Sequence, residues 1–372
     1  MERTKVVYII SKIDYALAFD WVDLHLDKTK FDLSFIFLNP TTPKLHQELL
    51  NRGVASYYIP FNSKLDYPRV AWKLFLLFKK IKPDVVHVHL IDACLTALPI
   101  AFLLGVKKRI YTRHHSTYHF DYFPHAVKYD RLMNRLATTI IAISKNVEAI
   151  LIEREGASRE KVVVIHHGFD LSKFTEVDEE SVQRLALKYN PLHKKPVVGV
   201  ISRFTEWKGV QYIIPAFQKL LVEFPDSLLV LANASGDREK DILDQLTILP
   251  KESYVTIKFE REVHALYHLF DVFVHVPIDS HSEAFGQTYI EALAAGVPSI
   301  FTLSGIASEI IHDKKNAIVV DYKTSEQIYE GIKLILADDI LKDRLIKTGK
   351  ADVLDLFALK KMIQELEELY AS

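Results

Sequence analysis

The sequence contains a single cysteine, Cys94, so no intrachain disulfide and no cysteine-rich metal cluster can form. A reducing compartment fits that usage. No uninterrupted apolar run approaches the roughly 18 residues that a membrane-spanning helix needs. At the start of the chain, Arg3 and Lys5 precede only a short apolar run with no small-residue cleavage site, so residues 1–10 read as a first strand and not as a signal peptide. No track of Lys and Arg interleaved with aromatics is present, which argues against nucleic acid as a partner. Internal repeats, low-complexity tracts and Asp-x-Asp triplets are absent as well.

The composition is that of a soluble globular protein: 49% of the 372 residues are apolar, 11% aromatic and 26% charged. The length suits two domains of roughly 150–200 residues better than a single core. A net charge of −1 hides an asymmetry. Residues 1–190 hold 27 Lys and Arg against 21 Asp and Glu, giving +6, whereas the remainder holds 20 against 27, giving −7. A basic first half suggests an anionic partner for that half.

Short β-branched and aromatic runs alternate with helix-length amphipathic segments. Strands are expected over residues 5–10, 32–38, 56–59, 85–89, 109–113, 139–144 and 162–165. After an acidic helical segment at 176–190 and a proline-bracketed polar link at 191–196, the alternation restarts. Its strands fall at 197–202, 227–232, 254–257, 272–276, 299–302 and 317–320. The pattern predicts an α/β protein with two doubly wound Rossmann-like domains, residues 1–190 and 191–352, facing a central cleft. A terminal helix over 353–372 could pack back on the first domain.

The segment Glu283-Ala284-Phe285-Gly286-Gln287-Thr288-Tyr289-Ile290-Glu291-Ala292-Leu293-Ala294-Ala295-Gly296-Val297-Pro298 carries the most chemistry. Small residues at its start let a ligand approach the backbone, and Gly296 and Pro298 end the helix. If the helix opens near Gly286, its first N–H groups form an anion site at the positive end of the helix dipole. Two carboxylates flanking an anion site can accept hydrogen bonds from hydroxyls on either side. A nucleotide sugar, with hydroxyls on both sides of a diphosphate, has that layout.

This block resembles the glutamate, seven residues, glutamate signature of retaining GT-B glycosyltransferases, and of glycosyltransferase family four in particular. The resemblance implies that Glu283 and the backbone around Ala284, Phe285, Gly286 and Gln287 hold the donor sugar, and that Glu291 holds the ribose. Arg203 and Lys208, after the first strand of the second domain, match the cations that stabilise the leaving diphosphate. His114, with His115 as the close alternative, matches the histidine beneath the donor sugar. The stretches at 82–89 and 164–170 look like further landmarks of the family. His87, His89, His166 and His167 in them could also be read as a metal site, against a structural reading.

Two features depart from the family. The loop after the first strand has no glycine, so Lys12, Asp14 and Tyr15 become the candidate acceptor-binding residues. The usual glycine is also replaced near Phe259-Glu260-Arg261, which leaves the nucleotide base open. The resemblance implies a hexosyltransferase-type enzyme that needs no metal or cofactor and transfers sugar from a nucleotide diphosphate donor to a glycan, lipid-linked or small-molecule acceptor. Envelope polysaccharide or glycoconjugate synthesis is the expected setting. A non-hydrolysing nucleotide-sugar epimerase, or a binding protein without turnover, are the alternatives. The chain is expected in the cytoplasm. The amphipathic run at 72–80, with Trp72 and Lys79, could touch an anionic inner membrane face.

Overall fold

The computed structural model describes residues 2–372, which form two compact units: the chain up to Phe169 together with Leu359–Ser372, and Asp170–Ala358. In the first, β1 (Thr4–Ser11), β2 (Phe31–Asn39), β3 (Ala55–Pro60), β4 (Val85–His89), β5 (Lys108–Arg113), β6 (Thr139–Ala142) and β7 (Val162–Val164) lie in the order β3-β2-β1-β4-β5-β6-β7. In the second, β8 (Val197–Ile201), β9 (Leu228–Ala232), β10 (Tyr254–Ile257), β11 (Val272–His275), β12 (Ser299–Phe301) and β13 (Ile318–Val319) lie in the order β10-β9-β8-β11-β12-β13. Every pairing is parallel.

Parallel strands need crossovers that cover both sheet faces, so central strands must be apolar on both sides. The sequence meets this demand: Val6, Val7, Ile9 and Ile10 of β1 and Val197, Val198 and Val200 of β8 are buried. Each fully buried aliphatic side chain of this size contributes about 1.5–3 kcal/mol relative to exposure. Strand order reverses between β1 and β4 and between β8 and β11. In a doubly wound sheet those switch points place ligand loops beyond the carboxyl ends of the strands.

Both unit boundaries differ from the sequence-based ones. The helix Glu179–Tyr189, expected at the end of the first domain, belongs to the second unit. Arg184 bonds Glu262 at 2.7 Å, and Lys188 and Tyr189 bond Glu260 at 3.1 and 2.7 Å, so its polar face docks on the loop after β10. The helix Asp339–Leu356 keeps residues 353–356 in the second unit, and the terminal helix Leu359–Ala371 is part of the first. Met362, Ile363, Leu366 and Tyr370 of that helix join the first core.

The helix Tyr67–Ile81 buries Val70, Leu74 and Phe78 at the four-residue spacing of a core-facing stripe. Trp72 and Leu76 stay exposed on it, with Trp72 stacked on Phe75 and Lys79 over the same ring. No helix among the described residues is long and apolar enough to cross a membrane.

Candidate functional site

In the second unit, the segment from Glu283 begins a turn that opens the helix Gln287–Ala294. Gly286 caps that helix at φ +90°, and a Cβ there would lie 2.6 Å from the ring of Tyr289, so both the conformation and the space require glycine. The loop after β12 clamps the turn. Ser304 Oγ accepts from the Glu283 amide at 2.9 Å, Ile306 N donates to the Phe285 carbonyl at 2.9 Å, and Gly305 lies too close to Glu283 for any side chain. Phe285 is buried edge-on against Phe357, while Gln287 is exposed and Ala284 half-buried. The helix start leaves its leading N–H groups without an earlier turn to pair with, which favours an anion there.

Glu283 is buried and forms an ion pair with Lys208, and its Oε1 also lies 3.1 Å from His275 Nε2. Burial pushes the Glu283 carboxyl up, but the Lys208 ammonium and the His275 hydrogen bond outweigh it and hold the group at about 2. Lys208 ends the short turn Glu206–Lys208 that follows β8, and Arg203 in the same loop is exposed, with its guanidinium 5.8 Å from the centre of the Trp207 ring. Glu291, one turn into the helix, accepts from Tyr267 Oη at 3.0 Å and from Gln287 Nε2 at 2.7 Å. Burial raises its carboxyl to about 7 despite both hydrogen bonds.

In the first unit, His114 follows β5 and faces a cavity of about 60 Å³ that is also lined by His87, His89 and His167. His114 Nε2 is 3.1 Å from His89 Nδ1, and its ring stacks on that of His167 at 5.7 Å. Burial, and after it the neighbouring His167, lowers His114 to about 3, so the imidazole is neutral at ordinary pH. His115 turns elsewhere, its ring 4.2 Å from that of His119 and its Nε2 3.8 Å from Asp130.

Beneath this loop Arg113 is buried between Asp130, at 2.9 Å, and Glu155, and its Nε donates to the His115 carbonyl at 3.0 Å. That bond fixes the backbone that carries His114. His115, His119 and Asp130 come close enough to suggest a cation site, yet the Arg113 guanidinium already supplies the Asp130 carboxylate with positive charge. His87 uses both ring nitrogens, on Tyr370 Oη at 2.7 Å and Thr112 Oγ1 at 2.8 Å, which leaves it no lone pair for a metal.

The loop after β1 makes its turn without glycine, because Lys12 itself takes a left-handed φ of +55°. Lys12 Nζ bonds Asp92 at 2.8 Å, Asp14 Oδ1 accepts from Lys44 N at 2.9 Å, and Tyr15 Oη donates to Asp20 at 3.1 Å. Sequence reasoning missed His275, Tyr289, Ser304 and Gly305 in the second unit and the Arg113, Asp130 and Glu155 cluster in the first. Gly305, in the loop after β12, was the one with a readable signal, since loops at strand carboxyl ends carry ligands.

Comparison with known proteins gives two family matches. The profile "Glycosyltransferase Family 4" matches residues 24–173, and "Glycosyl transferases group 1" matches residues 183–352. The capsular polysaccharide biosynthesis glycosyltransferase CapM of Staphylococcus aureus is 28% identical over 310 residues, covering 80% of this chain and 79% of its own. The chain spans 64%, 62% and 53% of the length of three further curated relatives. Among solved structures, HepE of Anabaena in complex with UDP and glucose has a TM-score of 0.84 at 18% identity, over 99% of this chain and 100% of its own. A glycosyltransferase of Rickettsia africae has a TM-score of 0.81 at 20% identity, over 100% and 98%. With two doubly wound parallel sheets and family profiles matching one stretch in each half of the sequence, the chain belongs to the GT-B glycosyltransferases of family four, the glycosyl transferases group 1.

Proposed function

We propose that this glycosyltransferase moves a sugar from a nucleotide diphosphate donor to an acceptor hydroxyl with retention of anomeric configuration. The observation that carries the reading is the Lys208–Glu283 pair at the mouth of the helix Gln287–Ala294, with Glu291 one turn along it. The pair offers a cation for a departing phosphate and a carboxylate for sugar hydroxyls. Glu291 takes the ribose hydroxyls. Gly286 and the backbone of residues 284–287 let the diphosphate reach the helix amides. HepE, solved with UDP, with UDP and glucose and with UDP-glucose, supports a uridine diphosphate sugar as the first donor to try.

In the proposed step the acceptor oxygen bonds the anomeric carbon on the face from which the phosphate oxygen leaves. The bond from carbon to phosphate breaks, and the acceptor proton passes to the departing phosphate oxygen. Arg203, Lys208 and the helix start take up the negative charge, so the step calls on no metal and no cofactor. Neutral His114 is assigned to the sugar, where its ring or carbonyl stabilises oxocarbenium character. Lys12, Asp14 and Tyr15 are assigned to the acceptor.

The likeness to CapM supports an acceptor in envelope polysaccharide or glycoconjugate synthesis. Exposed Trp72 and Leu76, beside Lys73, Lys79 and Lys80 on one helix, support transient contact of a cytoplasmic enzyme with an anionic membrane surface. The reading is tested by mixing the protein with UDP-, ADP-, GDP- and dTDP-linked sugars, without acceptor, and measuring binding and slow hydrolysis. One nucleotide sugar should bind and release its nucleoside diphosphate. Binding to none of them would refute the proposal, and conversion of the donor sugar without release would favour an epimerase.

A further inference from the structure

His275 sits at the end of β11, 1% exposed, where no substrate can touch it. Its ring meets Tyr289 edge-on at 4.7 Å and stacks on Phe273 at 6.5 Å, so packing fixes its orientation. Its Nε2 lies 3.1 Å from Glu283 Oε1, while its Nδ1 is buried with no hydrogen-bond partner among the described residues. An ionised carboxylate only accepts hydrogen bonds, so Nε2 carries the proton and Nδ1 is the bare lone pair. A bare acceptor is the less costly of the two buried states.

Lys208 contacts the same carboxylate oxygen. Its flexible ammonium stem, in a loop that reaches solvent, can turn to a phosphate that carries more charge than one carboxylate. Glu283 then loses its strongest partner at the moment when its position against the sugar matters. His275 cannot follow, because it is locked in the sheet.

We propose that His275 is a positioning residue that keeps the Glu283 carboxylate aimed and ionised while Lys208 passes from that carboxylate to the leaving diphosphate. The inference rests on the reading of Glu283 and Lys208 as donor-binding groups. A neutral imidazole suits this role, because burial lowers the affinity of His275 for a second proton, against the opposing pull of Glu283. It donates one hydrogen bond without forming a full ion pair that would compete with the sugar hydroxyls. The same geometry explains why a polar residue occupies an otherwise apolar strand, Val272–His275.

The test compares His275→Phe, which keeps the ring packing and removes the donor, with His275→Gln, which restores an N–H donor. UDP-glucose is the first probe for turnover and UDP for binding, replaced by the donor pair that the panel selects if it differs. His275→Phe should lower kcat about tenfold to a hundredfold with UDP binding within about twofold of the parent, and His275→Gln should recover most of the loss. Turnover of His275→Phe within twofold of the parent, or parallel loss of UDP binding in both variants, would overturn the proposal. If His275→Phe does not fold, His275→Met against His275→Gln decides it, and equal kcat in the two would count against a positioning role. Glu283→Gln separates the two levels of argument: if it retains parental turnover, the reading of Glu283 fails; if it is inactive while His275→Phe is unimpaired, only the positioning role fails.

Discussion

Lys208 and Glu283, 75 residues apart in the chain, form an ion pair on a carboxylate oxygen that also takes a hydrogen bond from buried His275. The cation proposed for the leaving group and the carboxylate proposed for the sugar are therefore paired with each other before any donor arrives. Donor binding gives Lys208 a new ionic partner in the phosphate and leaves Glu283 the His275 hydrogen bond and the sugar hydroxyls; a buried carboxylate left with no partner at all costs about 3–5 kcal/mol.

Replacing Lys208 with Ala should lower kcat by roughly a hundredfold or more, because its charge is needed most as the phosphate departs. Arg203→Ala should lower kcat by a similar factor. Arg203 is exposed, so its variant should keep the parental unfolding midpoint, whereas Lys208→Ala removes the main counter-charge of Glu283 and should also lower it. Steady-state kinetics and thermal unfolding of both variants check this. Near-parental kcat in both removes them from the site.

Glu291 predicts a pH dependence. Burial raises its carboxyl to about 7, so it is mostly protonated at pH 6 and mostly ionised at pH 8. An ionised carboxylate accepts from both hydroxyls of a ribose and a protonated one from fewer, so the donor KM should fall as pH rises through about 7. The stability of the ligand-free protein should also fall as pH rises. A folded pKa above the unfolded value of 4.5 contributes stability below pH 4.5 and loses it as pH rises through about 7. Glu291→Gln should flatten both trends, measured as donor KM and as urea midpoints from pH 5 to 8. An unchanged KM profile in that variant would assign the dependence to another group.

His114→Ala should impair transfer far more than nucleotide binding, because the ring, the part that this variant removes, is assigned to the sugar and not to the base. His115→Ala should act through stability instead, since that ring packs on His119 beside the buried Arg113–Asp130 pair. Binding of nucleoside diphosphate, kcat and the unfolding midpoint distinguish the two. If His115→Ala alone loses transfer with its fold intact, the assignments must be exchanged.

The exposed Trp72 and Leu76 with their neighbouring lysines predict sedimentation with anionic vesicles at low salt and release at high salt. Each Lys or Arg near anionic lipid contributes about 1 kcal/mol, screened beyond roughly 10 Å at 0.1 M salt. Trp72→Ser should weaken the binding severalfold. Equal partitioning to neutral and anionic vesicles, or none to either, would leave a soluble acceptor as the better reading.

The strands are legible in the amino-acid order, since burial on both faces writes a continuous β-branched run that can be read one segment at a time. The helix after Gly286 is legible for the same reason: the turn, the helix formers and the stop at Gly296 and Pro298 are neighbours in the chain. Where a pattern is local but its partners are distant, the reading falls short. The acidic segment containing Glu179–Tyr189 looks like the end of a domain, and only its bonds to Glu260 and Glu262 place it in the second unit. The bonds of Lys12 to Asp92, of Asp14 to the Lys44 amide and of Tyr15 to Asp20 are likewise absent from the local pattern. The partners of Glu283, the separation of His114 from His115 by Arg113, and the contact of Tyr370 with His87 come from the folded arrangement alone. Those pairs depend on which strands become neighbours and on where the terminal helix returns, and strand order is set by packing the whole sheet at once, not by any spacing along the chain.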